Sequence, residues 1–120
     1  MVVGHDERAD AIFHALADAT RRDIAIVAMG QEHSVSSLAR RYPMSVTAIQ
    51  KHVNVLERAG LVTKERHGRE QLVRGNIEAV REAFTVLERL EAVWRARLER
   101  FGDVLTEINR EAIRHQGEPT

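Results

Sequence analysis

The strongest constraint on the fold sits at Pro43. A proline disfavours helical geometry in the residue before it, so the helical pattern of residues 36–42, Ser-Ser-Leu-Ala-Arg-Arg-Tyr, has to stop near Tyr42. Ser45 then stands where it can cap a new helix. That helix runs from Val46 to about Ala59 and ends at Gly60, the residue type that tolerates a left-handed C-terminal conformation. At about 100° per residue, Ile49, Val53 and Leu56 share one face and Thr47, Gln50, Lys51, Asn54 and Arg58 the other. Two short helices around a tight turn make a helix-turn-helix, with the second helix held across the first.

An entirely polar outer face on the second helix suits a DNA major groove. Ser45, Val46 and Thr47 open the helix, and Thr47 can meet a base edge or a thymine methyl. The amide of Gln50 can pair with adenine, Lys51 can reach guanine or a phosphate, and Asn54 lies one turn further on. Two strand-like runs follow, residues 61–66 and 70–74, around His67-Gly68-Arg69. This hairpin reads as a wing, and Lys64, Arg66, His67, Arg69 and Arg74 are its candidate contacts to phosphate or the minor groove.

The formal net charge is zero, which by itself speaks against a phosphate partner. Its distribution does not. Residues 36–75 hold eight basic and three acidic side chains, whereas residues 1–35 hold three and six and residues 76–120 seven and nine. The positive third coincides with the helix-turn-helix and the wing.

Upstream, Asp6 is placed to cap a first helix in which Ile12, Leu16 and Ala19 form a stripe that Phe13 widens. Thr20 offers the cap of a second helix, with Ile24, Val27 and Ala28 at helical spacing and a stop at Gly30. Arg21 and Arg22 are expected to form ion pairs with Asp18 or Asp23. Downstream, from about Glu78 to Ile113, Leu87, Leu90, Trp94, Leu98, Phe101, Leu105 and Ile108 recur at intervals of three and four. A helix of roughly 35 residues spans about 50 Å, more than so small a monomer can cover. The expected partner is a second copy, met through Ile12 and Leu16 of the first helix and the seam of the last. A two-fold dimer places its recognition helices about 34 Å apart, which implies a palindromic site.

The expected fold is therefore mainly α with a small β-hairpin: a winged helix-turn-helix of five helices, dimerising through the first and last. It occupies residues 1–120 as one domain, with the helix-turn-helix at about 36–60, the wing at about 61–75 and the long helix at about 78–113.

Three blocks resemble the ArsR/SmtB-type repressors: Ala15-Leu-Ala-Asp-Ala-Thr-Arg-Arg, the run Ser45-Val-Thr-Ala-Ile-Gln-Lys-His-Val-Asn-Val-Leu-Glu-Arg-Ala-Gly-Leu-Val, and the glycine-tipped wing. The resemblance covers roughly residues 9–110. It implies a dimeric bacterial repressor released from its operator by a signal. The thiol-sensing members carry Cys-Val-Cys where this chain has Ser34-Val35-Ser36. Serine is a poor ligand for soft ions, so no metal site is expected there. Other members bind metal on the last helix, where this chain offers Asp103, Glu107, Glu111 and His115, without an Asp-x-His start.

With no cysteine, the chain has no disulfide, thiolate site or thiol nucleophile. It shows no serine elbow or phosphate-cradling glycine loop, and its histidines are scattered singly, so catalysis and cofactors are not expected. No apolar run is long enough for a bilayer, and the N-terminus lacks a signal-peptide layout, which points to the cytoplasm. His52 and Tyr42 read as packing residues. Trp94 reads as a seam residue or as the wall of a pocket for an unidentified small-molecule effector. The reading is a sequence-specific DNA-binding transcriptional repressor without metal response. A metal-responsive repressor with carboxylate and histidine ligands, and a winged-helix protein-interaction module, are the alternatives.

Overall fold

The computed structural model describes residues 7–117. In chain order the elements are α1 (Glu7–Leu16), α2 (Ala19–Gly30), β1 (His33–Ser34), α3 (Val35–Ala39), α4 (Val46–Arg58), β2 (Val62–His67), β3 (Glu70–Gly75) and α5 (Ile77–Gly117). The chain divides into two compact units, Met1–Thr85 and Val86–Thr120.

Five helices form as expected, but the hairpin gains a third strand. β1 pairs antiparallel with β3, His33 opposite Val73 and Ser34 opposite Leu72, giving the order β1-β3-β2. Two residues are too short to carry a period-two pattern. β2 and β3 run in register from Val62 opposite Gly75 to His67 opposite Glu70, leaving Gly68 and Arg69 as the loop. Gly68 has φ +63°, the left-handed conformation that two-residue hairpin turns require.

The core of the first unit is assembled from one face of each element except β1. Ile12, Ile24, Leu38, Ile49, Val53, Leu56, Leu61, Val62 and Val73 are all essentially fully buried. Ile49, Val53 and Leu56 are the apolar face anticipated for α4. Burial of one such side chain is worth about 1.5–3 kcal/mol.

The ends of α4 follow from their residues. Ser45 accepts a hydrogen bond from the Ala48 N–H at 3.1 Å. At the other end Gly60 adopts φ +80°, its N–H donates to Glu57 O (2.9 Å), and the Leu61 N–H donates to Leu56 O (3.0 Å). This is the Schellman arrangement, with Leu56 and Leu61 both buried beneath it. Asn76 then ties the joint together. Its N–H donates to Leu61 O, its Nδ2 donates to Gly60 O, and its Oδ1 accepts from the Glu78 N–H at the start of α5. At Gly75 a Cβ would lie 2.8 Å from Met29 Cα, so a side chain there would push β3 off α2.

Three local expectations are corrected. The cap of α2 is Asp18, not Thr20: Asp18 Oδ2 accepts from the Arg21 N–H at 2.9 Å. That backbone hydrogen bond holds the Asp18 carboxyl below its ordinary pKa. Arg21 and Arg22 turn to carbonyls at the end of α1 instead of carboxylates. Arg21 Nε donates to Ala15 O (2.8 Å), and Arg22 Nη1 donates to Leu16 O (2.8 Å). Only two residues separate the helices, so the first turn of α2 overlies the unsatisfied, electronegative end of α1. The third helix is Val35–Ala39, shorter and earlier than residues 36–42, because Ser34 caps it by accepting from the Ser37 N–H (3.0 Å). The expected cap Asp6 lies outside the described residues.

α5 has 41 residues, a length of about 60 Å at 1.5 Å per residue, and extends beyond the expected end at Ile113. From Leu87 to Gln116 every side chain is exposed.

Candidate nucleic-acid interface

The polar face of α4 and the wing are brought together within the first unit. Val46 is 56% exposed, Thr47 and Lys51 are exposed in the same N-terminal part of α4, and Arg58 is exposed at its C-terminal end. The turn before α4 is anchored by Tyr42, whose hydroxyl donates to Asp23 Oδ2 at 2.6 Å. Partial burial and this acceptor push the Tyr42 phenol up to about 12.

The wing sorts its basic residues by strand alternation. Val62 faces the core, so Lys64 and Arg66 share its side of β2. On β3, Gln71 shares the side of Val73. Lys64 is accordingly drawn toward α4. Its Nζ donates to Asn54 Oδ1 at 2.6 Å and lies 3.5 Å from Glu57 Oε1. Gln50 Nε2 donates to Asn54 Oδ1 (3.4 Å) and to Gln71 Oε1 (3.2 Å). Gln50 and Asn54 are therefore half-buried members of a network that spans α4, β2 and β3.

Arg66, His67 and Arg69 are exposed at the wing tip, with His67 Nε2 3.3 Å from Glu65 Oε1. Arg74 points the other way and pairs with Glu32, its Nε donating at 3.0 Å. The structure thus brings Ser45, Val46, Thr47, Gln50, Lys51, Asn54 and Lys64 into one neighbourhood, carries Arg66, His67 and Arg69 on the hairpin, and engages Arg74 elsewhere. Gln71, Glu57 and Glu32 were missed. Counting two residues back from Val73 finds Gln71, whereas the Glu32–Arg74 pair joins residues 42 apart and has no local signal.

The nominated dimer residues separate in the same manner. Ile12 is fully buried in its own unit and is not available to a partner. An apolar stripe on a helix does not by itself distinguish the chain's own core from another copy's surface. Leu16 is half-buried and lines a hollow of about 350 Å³ with Ile26, Met29, Leu61, Ile77 and Val80. Leu87, Leu90, Trp94, Leu98, Phe101, Leu105 and Ile108 are 50–66% exposed. The Arg97 guanidinium lies 5.8 Å from the Trp94 ring centre.

No family model matches the chain. Over 80 residues, 60% of this chain and 86% of the relative, it is 38% identical to YuzN, an HTH-type transcriptional regulator of Bacillus subtilis (strain 168). A solved ArsR-like transcriptional regulator from Rhodococcus sp. RHA1 is 36% identical over 85% of this chain and 96% of its own, with a TM-score of 0.72. The chain belongs to the ArsR family of transcriptional regulators. HlyU from Vibrio cholerae N16961 is more distant, at 26% identity over 70% of this chain and 91% of its own, with a TM-score of 0.57. Membership makes this chain a winged helix-turn-helix transcriptional regulator and not an enzyme.

In this ArsR-family regulator the serine at the thiolate position has a structural task, since Ser34 is the cap of α3. Its neighbour His33 places Nδ1 3.3 Å from Ser37 Oγ. Among the described residues no group of three or more His, Cys, Asp or Glu side chains is placed to hold a metal ion, and no helix is long and apolar enough to cross a membrane.

Proposed function

We propose that this ArsR-family regulator is a cytoplasmic repressor that binds a palindromic double-stranded DNA operator as a homodimer. The chain acts as one winged helix-turn-helix domain whose last helix joins the two copies. The observation that carries the DNA reading is α4. Its apolar face is fully buried, and its outer, N-terminal end offers exposed Thr47 and Lys51 beside an exposed basic hairpin. Ser45, Val46, Thr47, Gln50, Lys51 and Asn54 enter the major groove, and Arg66, His67 and Arg69 follow the backbone or minor groove.

The exposed seam of α5 supports the dimer. With 50–66% of each seam side chain still exposed, covering it yields about 0.8–2 kcal/mol per residue. Seven such residues on each of two copies give roughly 11–28 kcal/mol, which over most of that range exceeds the about 4–15 kcal/mol that association costs.

The repressor's signal is not a soft metal at the α3 position, because Ser34 is a neutral hydroxyl committed to a helix cap. Fluorescence anisotropy with DNA from the gene's own upstream region tests the whole reading. Affinity is expected to fall with salt with a log-log slope of several units and to be unchanged by EDTA. Equal affinity for this DNA and for random duplex would overturn it, and a change of binding in EDTA in either direction would restore a metal-responsive repressor.

A further inference from the structure

Building on the assignment of α4 as the reading helix, we infer that Lys64 is a positioning residue and not a phosphate contact: through Asn54 it sets Gln50 to meet a base as a hydrogen-bond acceptor. Amide oxygens and nitrogens are assigned by their partners, and this network has a fixed starting point. A lysine ammonium carries donors only. Lys64 Nζ is 2.6 Å from the Asn54 side chain, so the atom facing it has to be Oδ1. The same Oδ1 faces Gln50 at 3.4 Å, which requires the Gln50 amino nitrogen on that side. The second hydrogen of that nitrogen meets Gln71 Oε1 at 3.2 Å. Both Gln50 donors are thereby directed into the protein, and Oε1 is the group it offers to DNA.

The consequence is a different and more degenerate specificity than glutamine has alone. An unconstrained glutamine pairs with adenine through two bonds, accepting from N6 and donating to N7. Gln50 held as an acceptor selects a base that presents an exocyclic amino group in the major groove, cytosine N4 or adenine N6, and makes no bond to N7. Lys64 is suited to this task and unsuited to a phosphate. Its side chain is only 16% exposed, and Glu57 balances its charge from 3.5 Å.

The test uses the 120-residue chain and a randomised double-stranded DNA pool. Selection with the wild type gives the preferred site, and Gln50→Ala identifies the base pair whose preference depends on Gln50. Affinities for that site and its single-base variants are then measured across salt for wild type, Lys64→Met and Gln71→Leu, with folding checked by circular dichroism. At the Gln50 position, adenine and cytosine on the same strand are expected to be accepted alike and guanine and thymine on that strand disfavoured, and a preference for adenine alone would overturn the inference. Lys64→Met is expected to reduce that preference about five- to tenfold with an unchanged salt slope. A uniform loss on all sequences with the slope lower by about one unit is the signature of a phosphate contact and overturns the inference. Gln71→Leu leaves Lys64 in place, and a smaller loss at the same base pair is expected. If Lys64→Met does not fold, an unchanged preference in Gln71→Leu overturns the inference in its stead. A pool from which the wild type selects nothing would refute the DNA reading itself.

Discussion

The two units handle their apolar residues in opposite ways. Up to Thr85, Ile12, Ile24, Leu38, Ile49 and Leu56 close on one another and have no exposed surface, although Ile26 and Phe84 are left 70% and 60% exposed. From Val86 onward, Leu90, Trp94 and Phe101 are 66%, 55% and 63% exposed on a single helix. The first unit is held by its own packing. The second carries a pattern that one chain does not satisfy, and this is the physical case for a second copy.

The sharpest way to break that contrast is to charge the seam. Leu90→Glu combined with Leu98→Glu is expected to leave the fold of the first unit intact while sedimentation gives the 13.6 kDa monomer mass. Operator affinity then falls by about two orders of magnitude or more, because the second half-site no longer binds as part of one molecule. A variant that stays dimeric would place the interface elsewhere.

The complementary change lies in the core. Leu56→Ala is expected to lower unfolding free energy by about 2–5 kcal/mol, measured in urea, since it opens a cavity among fully buried neighbours. Smaller effects belong to the ends of α4. Gly60→Ala places a side chain at φ +80° and is expected to cost about 1–2 kcal/mol. Ser45→Ala is expected to cost about 1 kcal/mol through the lost cap.

The finest probe is Tyr42, the only tyrosine in the chain. Its ultraviolet titration should have a midpoint near 12 in the folded protein and near 10.0 in denaturant. The folded state favours the neutral phenol, so this contribution to stability is complete below pH 10 and is lost as the pH rises toward 12. Tyr42→Phe removes that dependence. A folded midpoint near 10.0 would mean that the Asp23 contact does not persist.

Much of this was legible from residues with strong local preferences. Pro43, Ser45 and Gly60 bound α4, Gly68 marks the hairpin, and the three-four repeat from Leu87 to Ile108 marks the long helix. What the residues leave open shares a cause, which is that periodicity specifies a face but not what covers it. Ile12 lies on an apolar stripe, yet that stripe meets its own core. Lys64 lies on a basic wing, yet alternation from Val62 turns it toward Asn54. Asp18 and Thr20 are both capping types two residues apart, and the sequence does not rank them. β1 consists of two residues and exists only because β3 has an edge to offer.

The central claim is that the outer face of α4 reads DNA sequence. Its most direct test is the ratio of operator to random-duplex affinity for the wild type and for the Gln50→Ala, Lys51→Ala double variant, with dimer content followed by sedimentation. The account predicts a ratio that collapses toward one in a variant that remains dimeric. An unchanged ratio would contradict it.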